Sequence, residues 1–228
     1  MKTKLRMAIT TLLLVVLGAV LSLYLFQDTL SAMLVSHTRI AVNRESVAKS
    51  KTSQKKQPTY NFAAVKPLSL SSLSQASLQR HAIAAVGKLV VPQVGINLPI
   101  ALGVGNAELS FAAGTLNPNQ VMGEKNYALA GHHMAQDETV LFGPLVKSTV
   151  GMVAYVTDMT NVYAYQIYQR RYIKATDVEI LDDTATPELT LVTCDDDGTG
   201  RLAIQAKLLS KFSLTKAPRA LQQQIAED

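Results

Sequence analysis

The 228 residues hold a single cysteine, Cys194. One thiol cannot close an internal disulfide. It is therefore an intermolecular partner, a chemical tool or an inert buried hydrophobe. Metal-ligand spacing is also missing. Neither C-x-x-C nor H-x-x-x-H occurs, and the adjacent His132 and His133 point apart along the chain, so metal binding by this pair is a weak reading. No platform interleaves aromatics with basic residues, so nucleic acid is not an expected partner. No internal repeat is present, and the carboxy-terminal KAPRALQQQIAED carries no apolar span.

Charge is absent over one long stretch, Met7 to Phe26 (MAITTLLLVVLGAVLSLYLF). A helix of that length spans roughly 30 Å, the thickness of a bilayer core. Lys2, Lys4 and Arg6 precede it, so the amino terminus is expected in the cytoplasm and the remainder outside. The run is long for a cleaved signal peptide and no convincing cleavage site follows, so an uncleaved anchor is expected. Residues 1–26 are then a cytoplasmic tip and transmembrane anchor.

Beyond the anchor the charge divides. Ser36 to Arg80 holds eight Lys or Arg and one acid, Glu45, whereas His81 to Asp228 holds eleven basic and fifteen acidic residues. Residues 27–80, rich in Ser, Gln and Lys, read as a basic flexible stalk, with a short helix within Leu68 to Val86. A basic stalk suits anionic lipid heads or wall polymers, or serves as a plain spacer. Residues 81–215 form one domain and 216–228 a polar tail.

The outer domain is all-β in texture. KLVVP, NLPIAL, NYALAG, MVAYVT, VYAYQIYQ, LTLVTC and RLAIQAKL are short Val-, Leu-, Ile- and Tyr-rich runs separated by turn formers, which argues for an antiparallel sandwich or barrel. Asp158 to Asn161 reads as a hairpin turn. Helical signal is confined to pieces such as Glu138 to Val146.

Around the thiol, LTLVTC and RLAIQAKL both alternate. Leu189, Leu191 and Thr193 take one face; Thr190, Val192 and Cys194 take the other. Between the two runs lies DDDGTG, dense in turn residues. A hairpin there makes Cys194 and Arg201 cross-strand neighbours, near 5 Å apart at Cβ. Read on spacing alone, Arg201 is equally a surface cation balancing the aspartates. His132 and His133 follow NYALAG at a strand end, where they could face another rim or stay in a solvent-exposed loop.

TLVTC followed shortly by Arg, with an upstream Ala-Gly-His on a β scaffold and an amino-terminal anchor, resembles the sortases, most closely those of class A. The resemblance covers roughly Gly87 to Lys211. It implies a closed eight-stranded β-barrel with short helices, behind one transmembrane helix. It implies cleavage of a Leu-Pro-X-Thr-Gly sorting signal between Thr and Gly by a cysteine, through a thioacyl-enzyme. Transfer to an amine of a peptidoglycan precursor, lipid II, would then anchor surface proteins to the wall. Position by position it implies Cys194 as nucleophile, His132 as acid and base, and Arg201 as oxyanion and substrate ligand. Ala130, Gly131, Thr190, Val192 and Thr193 would line the substrate groove.

The aspartates after Cys194 are expected to raise the pKa of both Cys194 and His132, with their own side chains in solvent. Some members of the family use calcium. Here the corresponding LNPNQVMGE (Leu116 to Glu124) has one acid, and Glu179, Asp182 and Asp183 face too few partners, so no cofactor or metal is expected. Two rivals stand beside this reading: an anchored adhesion module without chemistry, and a cysteine peptidase that finishes with water.

Overall fold

Alternation of apolar residues along Leu189, Leu191 and along Leu202, Ile204 sets which face of each strand turns inward, and eight strands close around those faces. They are β1 (Ala85–Val91), β2 (Ile96–Ala101), β3 (Ala113–Thr115), β4 (Asn126–Ala130), β5 (Val153–Thr157), β6 (Asn161–Lys174), β7 (Glu188–Cys194) and β8 (Gly200–Ser213). The order around the barrel is β1-β2-β3-β4-β7-β8-β6-β5, and β5 pairs back onto β1. The computed structural model describes residues 2–38, 40–52, 58–62, 65, 67–134, 137–194 and 200–227; for residues 2, 5, 8, 51, 52 and 194 this extends to the backbone alone.

The inward side chains include Leu89, Ile100, Leu129, Tyr165, Leu191 and Ile204, all nearly inaccessible. Each large apolar side chain removed from water contributes about 1.5–3 kcal/mol, so this inner layer carries the barrel.

Six of the eight junctions are antiparallel. Two are parallel, β2 with β3 and β4 with β7, and this corrects the antiparallel reading of the strand texture. The β5–β6 hairpin, which separates β4 from β7 in sequence, lies on the far side of β8, so β4 and β7 become neighbours. β3 was not legible: Ala-Gly-Thr offers neither length nor alternation. The β5–β6 turn falls where expected. Asp158 Oδ1 accepts from the N–H groups of Thr160 and Asn161 at 2.9 and 2.7 Å, and Met159 adopts a left-handed φ of 66°.

A second apolar layer covers the outside of β1 and β2. Val90 and Ala101 point outward into it, and it gathers one side each of five helical pieces. α1 (Lys2–His37) supplies Ala32 and Val35, α2 (Arg44–Thr52) supplies Val47, and α3 (Leu70–Gln79) supplies Leu73 and Ala76. α4 (Asn106–Phe111) supplies Phe111, and α5 (Arg219–Ala226) supplies Leu221 and Ile225. Covered on both faces, β1 is buried along its whole length, Lys88 included. The Lys88 ammonium meets the carbonyl oxygens that end α5: it donates to Ile225 at 3.0 Å and to Glu227. Cations at a helix carboxy terminus offset its unpaired carbonyls.

Part of the segment expected as a flexible stalk is therefore ordered. Val47 is 3% exposed, Ile40 and Val42 join the same cluster, and Arg44 Nε donates to Met159 O at 2.9 Å. Apolar residues set among the basic ones, Ile40, Val42 and Val47, anchor it, a signal that mean composition conceals. The helix expected over Leu68 to Val86 stops at Gln79, because Val86 and Leu89 are taken into the barrel wall. It opens with a capping box in which Ser69 and Ser72 exchange side-chain bonds with each other's backbone N–H. The helical piece expected over Glu138 to Val146 is only a 3-10 turn, Gly143–Lys147.

Within α1, Ile9–His37 is long and apolar enough to cross a membrane, and its large side chains from Leu12 to Phe26 are exposed. It fits a single-pass anchor.

Candidate active site

Parallel pairing brings the ends of β4 and β7 out on the same side of the barrel. The register runs Ala128 with Thr190, Leu129 with Leu191 and Ala130 with Val192. It persists past the last strand residue: Gly131 N–H donates to Val192 O at 3.2 Å, and Thr193 Oγ1 donates to Gly131 O at 2.8 Å. Two residues further, the same register sets His132 level with Cys194, on backbones about 4.8 Å apart. On the other side of β7 the antiparallel register places Cys194 directly opposite Arg201. The three residues that the resemblance implied as catalytic thus occupy adjacent positions on β4's extension, β7 and β8.

Local packing fixes the histidine. A Cβ on Gly131 would lie 2.6–2.8 Å from ring carbons of Phe142, so only glycine lets that ring lie against the chain. The backbone N–H of Phe142 then donates to His132 O at 3.0 Å. Phe142 was not singled out from the sequence; Gly131 was the available signal, since a glycine before a functional residue marks a close approach. His132 is 9% exposed, and its Nε2 is buried without a hydrogen-bond partner among the described residues. His133 is only half-buried.

Burial lowers the pKa of the His132 imidazole to about 4 from its ordinary 6.5, because the charged form loses water. Among the described residues desolvation is the cause acting on this ring, opposite in direction to the rise expected from the acidic run. Asp195, Asp196 and Asp197 themselves, whose side chains were expected in solvent, lie outside the described residues, as does the Cys194 side chain.

Arg201 has two visible constraints. Its Nη1 donates to Gly200 O at 2.7 Å, and its guanidinium carbon sits 5.6 Å from the centroid of the Phe62 ring. Phe62 belongs to the segment between α2 and α3. That segment docks through Val104 N–H to Thr59 O at 2.7 Å, and Phe62 and Val65 pack with Val104, Leu109 and Ala130. Phe62 was missed in the sequence. The signal was there: Tyr60 and Phe62 are the only aromatics between Phe26 and Phe111.

The residues expected to line the groove divide. Ala130 belongs to the cluster against which Phe62 and Val65 pack. Thr190 is fully buried and donates to Asn126 Oδ1 at 2.7 Å; Thr193 is fully buried and bonded to Gly131 O. Those two hydroxyls brace the strand ends. Val192 is 5% exposed, and Gly131 is filled by Phe142. Asn126 also donates to Ile180 O and Asp182 O at 2.9 and 3.0 Å, tying the β6–β7 connection to the barrel.

No group of three or more His, Cys, Asp or Glu able to hold a metal occurs among the described residues. Asp183 is instead paired with Lys125 Nζ at 2.5 Å.

A sortase domain family model matches residues 89–209. Sortase A of Streptococcus agalactiae is 39% identical over 180 residues, spanning 76% of this chain and 72% of that protein. Sortase A of Listeria monocytogenes is 37% identical over 168 residues, spanning 73% of this chain and 75% of that protein. The solved structure of the Listeria monocytogenes enzyme aligns with a TM-score of 0.58 at 37% identity, over 62% of this chain and 97% of that one. Family model and relatives agree over most of the length, and the chain belongs to the sortases, cysteine transpeptidases that anchor proteins to the cell wall.

Proposed function

We propose that this chain cleaves a Leu-Pro-X-Thr-Gly sorting signal between Thr and Gly and passes the acyl group to an amine of a wall precursor such as lipid II. The observation that supports the reading is the antiparallel pairing of Cys194 with Arg201, beside a parallel β4–β7 register that ends at Ala130 and Val192, two residues before His132 and Cys194. An imidazole held neutral by burial takes the thiol proton as sulfur attacks the Thr carbonyl carbon. The negative charge then on oxygen is met by the Arg201 guanidinium. The C–N bond breaks, glycine's nitrogen takes the proton from His132, and a thioester remains. An incoming amine attacks that carbon, the C–S pair returns to sulfur, and the surplus proton passes back to His132.

The amino terminus lies in the cytoplasm on this reading, because Lys2, Lys4 and Arg6 precede the apolar run. Neither calcium nor another cofactor takes part.

The test uses the full chain in detergent micelles with a Leu-Pro-Glu-Thr-Gly peptide, and products are identified by mass. A thioester on Cys194 and amine-dependent transfer are expected, both lost in Cys194→Ala. Cleavage by Cys194→Ala at more than a trace of the parent rate overturns the reading. Cleavage that is indifferent to added amine favours a peptidase.

A further inference from the structure

A transpeptidase has to admit two substrates to one carbonyl. The donor acts at Cys194 and Arg201, on the β7–β8 pair. A second approach reaches His132 from elsewhere. A cleft of about 810 Å³ lies between α3 and α4, and His132 forms part of its lining, whereas Arg201, Phe62, Thr190 and Val192 do not. The walls alternate apolar residues, such as Leu68, Ile83 and Leu102, with hydroxyls and amides, among them Ser72, Gln75 and Gln79 from α3 and Asn106 from α4.

Among the described residues, charge in the cleft is sparse. Of these, Glu108 is the one carboxylate in the lining, and it is half-buried. Lys49 is the one lysine among them, and its ammonium is paired with Glu45 at 2.7 Å. A lone carboxylate in a partly desolvated cleft attracts a cation more strongly than it would in open water.

We propose that the α3–α4 cleft is the acceptor site, and that it binds a primary amine carried on an uncharged, amide- and hydroxyl-bearing chain, with Glu108 drawing in the ammonium. The inference rests on the transpeptidase reading above and adds where the second substrate enters. An incoming ammonium pairs with Glu108, and its carrier exchanges water for the Gln75, Gln79 and Asn106 amides. It releases one proton to water. The neutral amine attacks the thioester carbon, sulfur leaves with the C–S electron pair, and the second proton goes to His132. Water needs no such site, so the cleft favours transfer over hydrolysis by raising the local amine concentration.

The test compares two nucleophiles on the full chain in detergent micelles with the Leu-Pro-Glu-Thr-Gly donor. Alanyl-alanine amide carries an ammonium on an amide chain; hydroxylamine is small, uncharged at neutral pH and has no carrier. Glu108→Gln keeps the shape of the side chain and removes its charge. Gln75→Trp, at an exposed position, fills the cleft from its rim. Each is expected to lower transfer to alanyl-alanine amide relative to hydroxylamine by about tenfold, through the KM of the amine. Gln75→Glu placed in the Glu108→Gln background is expected to recover part of that loss, and raised salt to erase the recovery. Equal changes for the two nucleophiles, or no change for either, overturn the cleft as acceptor site. Should the parent form no thioester with the donor, the transpeptidase reading itself fails and this inference falls with it.

Discussion

The guanidinium of Arg201 lies over the ring of Phe62, 5.6 Å from its centroid, although Phe62 precedes the first strand and Arg201 lies in the last. The ring lies on one side of the guanidinium, whose Nη1 also donates to Gly200 O at 2.7 Å. A planar fork can do both at once, whereas an ammonium cannot.

Arg201→Lys is therefore expected to fold and to lose about 10²–10³ in turnover, the usual worth of an oxyanion donor. Arg201→Ala should lose more. Alkylation of Cys194 by a small reagent should change far less, since no substrate carbonyl is involved. Steady-state kinetics beside iodoacetamide labelling measures the contrast; near-parent turnover in Arg201→Lys would leave Arg201 a surface counter-charge.

The two neighbouring histidines should separate cleanly. His132 is buried at the register position beside Cys194, while His133 is half-buried. His132→Ala is expected to cost at least about 10²-fold in kcat/KM, and His133→Ala much less. The opposite ranking would refute the assignment.

What could be read from the sequence followed from periodicity and from short motifs. Leu189, Leu191, Leu202 and Ile204 alternate, so the β7–β8 hairpin and its Cys194–Arg201 pairing were visible in advance. The place of His132 was not, apart from the family resemblance, because it depends on β4 lying parallel to a strand some sixty residues later. No local pattern encodes that. Phe62 was hidden for a related reason: its stretch is polar on average, and averages conceal a single aromatic anchor. The burial that lowers the His132 pKa comes from the folded surroundings of the ring, which no local pattern encodes, whereas the acids that suggested the opposite shift lie outside the described residues.

Stability should respond to that burial. The folded pKa of His132, about 4, lies below the ordinary 6.5, so the unfolded chain binds a proton that the native state refuses between those values. The associated stability is present above about pH 6.5 and is lost as pH falls toward 4. The size is about 3 kcal/mol at most. Urea midpoints at pH 7.5 and pH 5 should differ in the parent and differ less in His132→Gln. An equal pH dependence in both would place the titration elsewhere.

Gly131→Ala is expected to destabilise the barrel by about 1–3 kcal/mol, the usual cost of overpacking, because the new methyl would enter the Phe142 ring at 2.6–2.8 Å. Phe142→Leu should relieve part of that loss. A double-mutant cycle by urea denaturation reads the coupling; strict additivity would show that the ring moves aside freely.

Chelation is expected to leave the rate unchanged. Asp183, on the β6–β7 connection, already has the Lys125 ammonium at 2.5 Å. Assays with EDTA and with added calcium check this, and a several-fold stimulation by calcium would contradict it. Lys125→Ala then offers a sharper comparison, since it frees Asp183 for a cation.

The docking of the membrane-proximal helices on the barrel sets how far the catalytic head can travel. Residues 27–80 as a free coil would let it roam over on the order of 40 Å. Instead Ala32 and Val35, at the end of the apolar helix, share one cluster with Ile40, Val42, Val47 and the outer face of β1. The slack is taken up before it can act as a leash. With the apolar helix as a bilayer anchor, this docking would hold the head near one height above the lipid, and its partners would have to arrive at that height themselves. Encounters then become a search across a surface, with the rate governed by how densely that surface is populated.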